Sequence, residues 1–334
     1  MLVFATETSC DETSICVMED DKIIEHITFS QEIHVSHGGV VPELASRSHL
    51  EKIQNITNSL FFKKNINLND IDVFAATCGP GLIGSLLVGS TFTKSLAVSL
   101  QKPFIPINHL EGHILSTSFN NNIEFPQLVL LLTGGHTQIY LMKEENRLEL
   151  LGESIDDAIG EAFDKTAKLL GLPYPGGVEI EKKAVNGNEE AFILPKPLLK
   201  DQSFNFSFSG IKTHINLLTK KNKIDEKFVS DLSASFQRNM SQILIEKLDQ
   251  VITKLNNIKI TSISIVGGVS NNLYLRSKLE NYFANRDIEI YYPLKEMMAD
   301  NAAMIAWACM KFYNEKNSDL FFKPNPRLKV RSVL

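Results

Sequence analysis

Apolar and polar positions along the chain alternate in short blocks of two periods, separated by glycine- or hydroxyl-rich turns. Residues 2–8 and 14–19 are apolar or alternating and predict two strands, joined by Ser9-Cys10-Asp11-Glu12-Thr13. A Gly-rich connection, Gly38 to Glu43, then leads into helical spacing from Leu44 to about Phe62, closed by Lys63-Lys64-Asn65 at the negative end of the helix dipole. Val73 to Thr77 reads as a buried strand, and Cys78-Gly79-Pro80-Gly81-Leu82-Ile83-Gly84-Ser85 turns it into a helix running to about Ser99. After the apolar run Phe104 to Ile107, residues 127–132 form a strand that ends in Thr133-Gly134-Gly135-His136-Thr137 and resumes at Gln138 to Leu141.

In the second half, Gly152 to Lys165 predicts an acid-rich helix with Ala158 and Ala162 on its apolar face. Phe204 to Gly210 alternates aromatic and polar residues as a strand does, and helices follow at Ile211 to Leu218 and Phe228 to Leu255. Ser262 to Val266 is a strand ending in Gly267-Gly268, a helix starts near Leu273, and Glu289 to Tyr292 is a last strand. The order strand, short hydroxyl- or glycine-rich turn, strand thus occurs twice, some 120 residues apart, at Ser9 to Thr13 and at Thr133 to Thr137. Two related α/β domains, each presenting a phosphate-facing turn to a shared cleft, account for the repetition, and 334 residues suffice for two domains of ordinary size.

Composition narrows the class without naming a function. With 43% hydrophobic and 22% charged residues the chain is an ordinary globular sequence. No apolar run approaches the roughly 20 residues that span a bilayer, and Leu2-Val3-Phe4-Ala5 opens a strand rather than a leader, so a cytoplasmic protein without a membrane partner is expected. Cys10, Cys16, Cys78 and Cys309 form no C-x-x-C pair. A net charge of −5 argues against a globally basic nucleic-acid binder. The proline-punctuated tail Lys323-Pro324-Asn325-Pro326-Arg327-Leu328-Lys329-Val330-Arg331 is the local exception, either an exposed end or a contact for RNA phosphates.

The candidate chemistry centres on Asn108-His109-Leu110-Glu111-Gly112-His113. In a helix the four-residue step from His109 to His113 puts both imidazoles on one face, within reach of one divalent ion. Two helix histidines satisfied elsewhere would leave the same pattern, and with Glu111 inside the spacer it is neither H-E-x-x-H nor H-x-x-E-H. Asp300 is either the cap of the helix after Met298 or a third ligand completing an N,N,O set. The turn holding Ser9 and Asp11 is a solvated hairpin or a phosphate- and metal-facing loop. The glycine turn at Cys78 to Ser85 is neither a P-loop nor a dinucleotide fingerprint. Asp157, Glu161 and Asp164 share a helix face, solvated and paired in part with Lys165 and Lys168 or facing a ligand. Tyr174-Pro175-Gly176-Gly177 is a rigid turn that lets backbone approach a ligand, and Gly267 to Asn272 is a nucleoside site or a plain strand–helix turn.

Taken together, ETSCDETS, GGVVPELASR, GPGLIGSLLVG, NHLEGHILS, LLLTGGHTQIY, GESIDDAIGEAFDKTAKLLGLPYPGG, FSFSGIKT, VGGVSNN and ADNAAMIA resemble the TsaD (Gcp) family in order and spacing, from about residue 3 to 331. The resemblance implies two ribonuclease-H-like lobes of the actin, hexokinase and heat-shock-chaperone ATPase superfamily around a central nucleotide cleft. The lobes are expected at residues 1–125 plus 300–325 and 126–299, followed by a basic tail at 326–334. It also implies transfer of a threonylcarbamoyl group from threonylcarbamoyl-AMP to N6 of the adenosine beside the anticodon, position thirty-seven, in tRNAs that read codons beginning with A. By the same resemblance His109, His113 and Asp300 hold one divalent metal ion, Fe(2+) by family and Zn(2+) equally by ligand type. Leu131, Leu132, Thr133, Gly134, Gly135, Asp164, Gly177, Glu181 and Asn272 match adenylate-binding positions, and Ser9 and Asp11 match the phosphate-facing first turn. Two departures stand out: Thr133 replaces a common serine, and Val178-Glu179-Ile180-Glu181 replaces a proline-containing run. TsaB and TsaE type proteins are the implied partners, with TsaB docked on the helix from Leu44 to Phe62. An ATPase or kinase of the same fold and a metalloprotease are the rival readings.

Overall fold

A computed structural model describes the chain except Asn65, Asn146, Lys200, Glu315, Lys316 and residues 332–334, and except the side chain of Lys64. The expected helix closure at Asn65 and the last three residues of the expected tail therefore lie outside the described residues.

The chain divides into two compact units, residues 1–120 with 293–331, and residues 121–292. In chain order the first unit carries β1 (Leu2–Glu7), β2 (Glu12–Glu19), β3 (Lys22–Ser30), α1 (Pro42–Lys64), β4 (Val73–Gly79), α2 (Ile83–Leu100), β5 (Phe104–Asn108) and α3 (His109–Leu115). The second carries β6 (Gln127–Leu132), β7 (Thr137–Glu144), β8 (Arg147–Glu153), α4 (Ile159–Leu169), α5 (Gly176–Ala184), α6 (Ser209–Lys221), α7 (Glu226–Lys254), β9 (Ser262–Val266), α8 (Leu273–Ala284) and β10 (Glu289–Tyr291). The chain then returns to the first unit with α9 (Ala302–Phe312).

Each unit is built on a five-stranded mixed sheet, ordered β3-β2-β1-β4-β5 in the first and β10-β9-β6-β7-β8 in the second. In both, three antiparallel strands come first in sequence and two parallel strands are added beside the first of them. That shared order is ribonuclease-H-like, as expected. Parallel strands need both faces covered, and β4 and β9 accordingly are buried along their whole length. In the first core Phe4 lies against Phe61 and Phe74, with ring centroids 5.8 and 5.5 Å apart. In the second, Phe163 of α4 meets Phe236 of α7 edge-on at 4.9 Å, a contact of about 0.5–1.5 kcal/mol beyond area burial.

The helix α2 differs from the expectation that no apolar run approaches a membrane span. By length and composition its 18 residues, at mean hydropathy 1.3, are sufficient. One face, however, is buried and carries Ser85, Gly89, Ser90 and Thr93. Thr93 shares a hydrogen bond with Thr6 of β1 at 2.7 Å, and a Cβ at Gly89 would lie 2.2 Å from Thr8 Oγ1, so helix and sheet touch closely there.

Several local expectations are corrected. Gly152 and Glu153 end β8 rather than opening a helix, and α4 begins only at Ile159. Phe204 to Gly210 is no strand: Phe206 forms one bridge to Ser154, and Ser209 already starts α6. Asp300 is not the cap of α9. Asn301 is, its side chain accepting from the amide of Met304 at 2.9 Å. The residues Lys323 to Arg331 run back over the first unit rather than ending free: Asn325 N donates to Cys78 O at 2.8 Å and Arg331 N to the Glu111 carboxylate at 2.7 Å.

Candidate metal centre and ligand cavity

Asn108 starts α3 by accepting hydrogen bonds from the amides of Leu110 and Glu111 at 2.8 and 3.4 Å, an arrangement that anchors the first turn. With the start fixed, His109 and His113 fall one turn apart, both buried, their rings edge-to-face at 4.8 Å. Asp300, delivered by the segment before α9, places Oδ1 3.0 Å from His113 Nε2 and 3.4 Å from His109 Nε2. The three donor atoms lie within 4.8 Å of one another.

An ion about 2.0–2.2 Å from each donor would set neighbouring donors roughly 3 Å apart, as the two histidine–Asp300 pairs are at 3.0 and 3.4 Å, and the histidine donors need only close slightly toward each other. His113 Nδ1 is buried without a hydrogen-bond partner among the described residues, and Nε2 is the nitrogen directed to the cluster. The residues fit a divalent cation.

Glu7, at the end of β1 and fully buried, was not foreseen in the sequence. Its Oε2 lies 3.2 Å from His109 Nδ1 and accepts a hydrogen bond from Thr77, while Oε1 accepts from Ser9 N at 2.6 Å. Ser9 Oγ is 3.3 Å from the same His109 nitrogen. Proton affinities follow from this crowding. Burial alone would depress His109, but Asp300 and Glu7 outweigh it and hold the imidazole well above its usual pKa. Burial keeps His113 below its usual value. Against burial, which would raise it, His109 holds Asp300 below the ordinary carboxylate range. Glu12 is pushed well up by burial and by the charges of Asp300 and Asp11. Such a surplus of carboxylates favours a cation.

The second unit holds a cavity of about 210 Å³. Gly134, Gly160, Asp164, Gly177, Glu181 and Asn272 are among its lining. At Gly134, Gly177 and Gly268 an added Cβ would meet nothing within 4 Å, so these glycines open the space. The Asp164 carboxylate accepts from Gly176 N at 2.7 Å and Glu181 from Leu273 N at 2.7 Å, fixing the starts of α5 and α8. Asn272 caps α8 through Leu275 N at 2.9 Å and donates to Gln237 at 2.7 Å.

The sequence can now be set beside known proteins. The model of the TsaD family, described as tRNA N6-adenosine threonylcarbamoyltransferase, matches residues 22–307. The chain belongs to the TsaD family. The tRNA N6-adenosine threonylcarbamoyltransferase of Wolbachia pipientis wMel is 42% identical over 334 residues, covering 99% of each chain. Its counterpart in Thermosipho africanus (strain TCF52B) is 43% identical over 337 residues, covering 99% of this chain and all of the relative. Among solved structures, full-length HypF in its phosphate- and nucleotide-bound form superposes with a TM-score of 0.61 at 15% identity. It covers 93% of this chain and 46% of that one, a likeness of fold alone.

Within this TsaD chain the expected site residues fall into distinct sets. His109, His113 and Asp300 come together, and Ser9 joins them through His109. Asp11 is partly buried in the turn that ends at β2. Gly134, Asp164, Gly177, Glu181 and Asn272 share the cavity. Leu131 and Leu132 are fully buried in β6, so only their backbone is near the turn. Thr133 Oγ1 accepts from His136 N at 2.9 Å and from Gly135 N at 3.3 Å, shaping the turn from within, and Gly135 is exposed. Pro175, Gly268, Val269 and Asn271 line it too, from the two turns expected to approach a ligand, whereas Gly160 and Phe163 also line the cavity and were not singled out. The approach of Gly160 to the backbone of Gly134 explains its identity, since a Cβ there would lie 2.8 Å from Gly134 Cα.

Proposed function

We propose that this chain transfers the threonylcarbamoyl group from threonylcarbamoyl-AMP to N6 of the adenosine at position thirty-seven of tRNAs reading codons that begin with A, releasing AMP, in the cytoplasm. The observation that carries this reading beyond family membership is the N,N,O donor set of His109, His113 and Asp300 gathered within 4.8 Å. These residues would hold one divalent ion, Fe(2+) first and Zn(2+) as an accepted substitute. Such an ion supplies Lewis-acid polarisation of the carbamoyl or phosphate oxygens.

The remaining roles belong to side chains and backbone of the chain itself. Glu7 orients His109, so that Nε2 rather than Nδ1 is the donor. Ser9 and Asp11 form the turn that faces the phosphate. Gly134, Gly177 and Gly268 leave room for the adenylate, with the turn Leu131 to Gly135, Asp164, Glu181 and Asn272 as its binding positions. Held in this way, the carbamoyl carbon forms a bond to the adenosine N6, its bond to the phosphate oxygen breaks, AMP departs, and the amine proton passes to solvent. No side chain is assigned as general base.

TsaB and TsaE type proteins are the partners of this reading. The helix α1 leaves Leu50 64% and Phe62 90% exposed, which supports TsaB docking there. Charge reversals beside those two residues that leave complex formation unchanged would refute the docking.

The function is tested by reconstitution with metal, partner proteins, threonine, bicarbonate, ATP, the adenylate-forming enzyme and an unmodified tRNA, scored by mass spectrometry. Modified adenosine with wild type and none with His109→Ala is expected. Product from both sinks the metal role of His109. ATP turnover without modified tRNA would favour the kinase-like reading.

A further inference from the structure

Residues 320–331 contain no acidic side chain and four basic ones, Lys323, Arg327, Lys329 and Arg331. The segment's hydrogen bonds to the rest of the first unit include four along residues 325–331. Asn325 N donates to Cys78 O at 2.8 Å, Gly81 N donates to Pro326 O at 3.3 Å, Asn108 Nδ2 donates to Leu328 O at 3.3 Å, and Arg331 N donates to Glu111 at 2.7 Å. The approach is close, because a Cβ at Gly79 would sit 2.0 Å from Asn325 O.

Burial alternates along the segment. Phe322, Leu328 and Val330 are half-buried, whereas Phe321, Lys323, Arg327, Lys329 and Arg331 are exposed. Arg331 pairs with the buried Glu111 at 3.6 Å, but Lys323, Arg327 and Lys329 have no ion pair among the described residues. Two of the anchors, Asn108 and Glu111, belong to the start of the helix that carries His109 and His113.

We propose that residues 323–331 are a tRNA-docking strap, binding the phosphate backbone of tRNA beside the metal-bearing helix. The inference rests on the tRNA reading above and deepens it by naming a surface. Three unpaired cations on a backbone already fixed by hydrogen bonds form a preorganised positive strip on a chain of net charge −5. Phosphates complement that strip. Phe321, 91% exposed at its head, offers a flat face on which an unpaired base can stack.

The test replaces Lys323, Arg327 and Lys329 with Gln, leaves Arg331 in place, and measures the equilibrium affinity of the whole chain for an unmodified tRNA between 50 and 200 mM salt. Loss of three phosphate contacts lowers the slope of log affinity against log salt by about two to three. Affinity at the middle of that range is expected to fall about tenfold or more, while metal affinity stays at the wild-type value. A triple variant with unchanged slope and affinity overturns the strap, as does a wild-type affinity that salt does not weaken. Because the readout is binding, a strap that fails while wild type still modifies tRNA leaves the function standing.

Discussion

Glu7 Oε2 lies 3.2 Å from Nδ1 of His109, although the two residues are separated by 102 positions and belong to different elements of the first sheet and its flanking helix. A carboxylate at the second nitrogen of a metal-bound imidazole fixes its tautomer and strengthens it as a donor. Glu7→Gln keeps the volume and loses the charge, so the apparent affinity for a divalent metal should fall about 10- to 100-fold. Metal titration of the purified variant checks this, with circular dichroism to show that the sheet is intact. An unchanged affinity would leave Glu7 as a bystander.

Asn108 does two things for the same helix. It caps α3 and ties it to Leu328 O at 3.3 Å. Asn108→Ala should lower stability by about 1 kcal/mol, read from denaturant midpoints, and should weaken metal binding because both imidazoles ride on that turn. A stability loss with full metal affinity would mean that α3 is held by its packing alone.

Gly177 is the second residue of α5 and faces the open cavity. Leucine is the better helix former by up to about 1 kcal/mol, so Gly177→Leu should fold at least as stably as wild type while filling the space. AMP affinity measured by calorimetry is expected to drop at least about tenfold, with no fall in Tm. Unaltered AMP binding would move the nucleotide elsewhere in the unit.

Asp156 accepts hydrogen bonds from Ser207 Oγ at 2.6 Å, Ser209 Oγ at 2.7 Å and the amides of Phe208 and Ser209 at 2.8 and 3.3 Å. A residue distant in sequence therefore caps α6. Burial opposes ionisation, but these donors hold the carboxyl below its usual pKa. A depressed folded-state pKa contributes stability that is complete above the unfolded value, about 3.9, and is lost as pH falls through the folded one. Asp156→Ala should cost about 1 kcal/mol at neutral pH, and the gap to wild type should close in acid. Equal gaps at neutral pH and well below 3 would contradict the cap.

The sequence showed most of the first sheet because β1, β2 and β4 carry long apolar runs with turn residues between them. It concealed β3, whose residues are mostly half-exposed at the sheet edge and give little alternation. Residues 152–158 looked helical because acids and alanines occur at helical spacing. The pairing of Glu153 with Gln138 across the sheet and the late helix start at Ile159 decide otherwise. Lys165 bridges Asp157 and Glu161 at 2.5 and 2.8 Å, so the paired alternative holds for those two acids, whereas Asp164 lines the cavity. Asp300 and Asn301 are both good caps by type, and only geometry assigned the cap to Asn301 and left Asp300 for the histidines. Glu7 was invisible for a simple reason: a lone acid ending an apolar strand carries no spacing signal, and its partners lie 70 and 102 positions away.

The second unit is inserted between two parts of the first. His113 meets Asp300 across 187 positions, and Asn108 and Glu111 meet Leu328 and Arg331 across 220. During synthesis the histidine-bearing helix is therefore made long before the residues that hold it. A chain growing from its N-terminus must complete all of the inserted unit before His113 can meet Asp300, so a nascent or prematurely ended chain lacks the donor set proposed to hold the ion. On that proposal, metal retention would report on completion of the fold as well as on its chemistry.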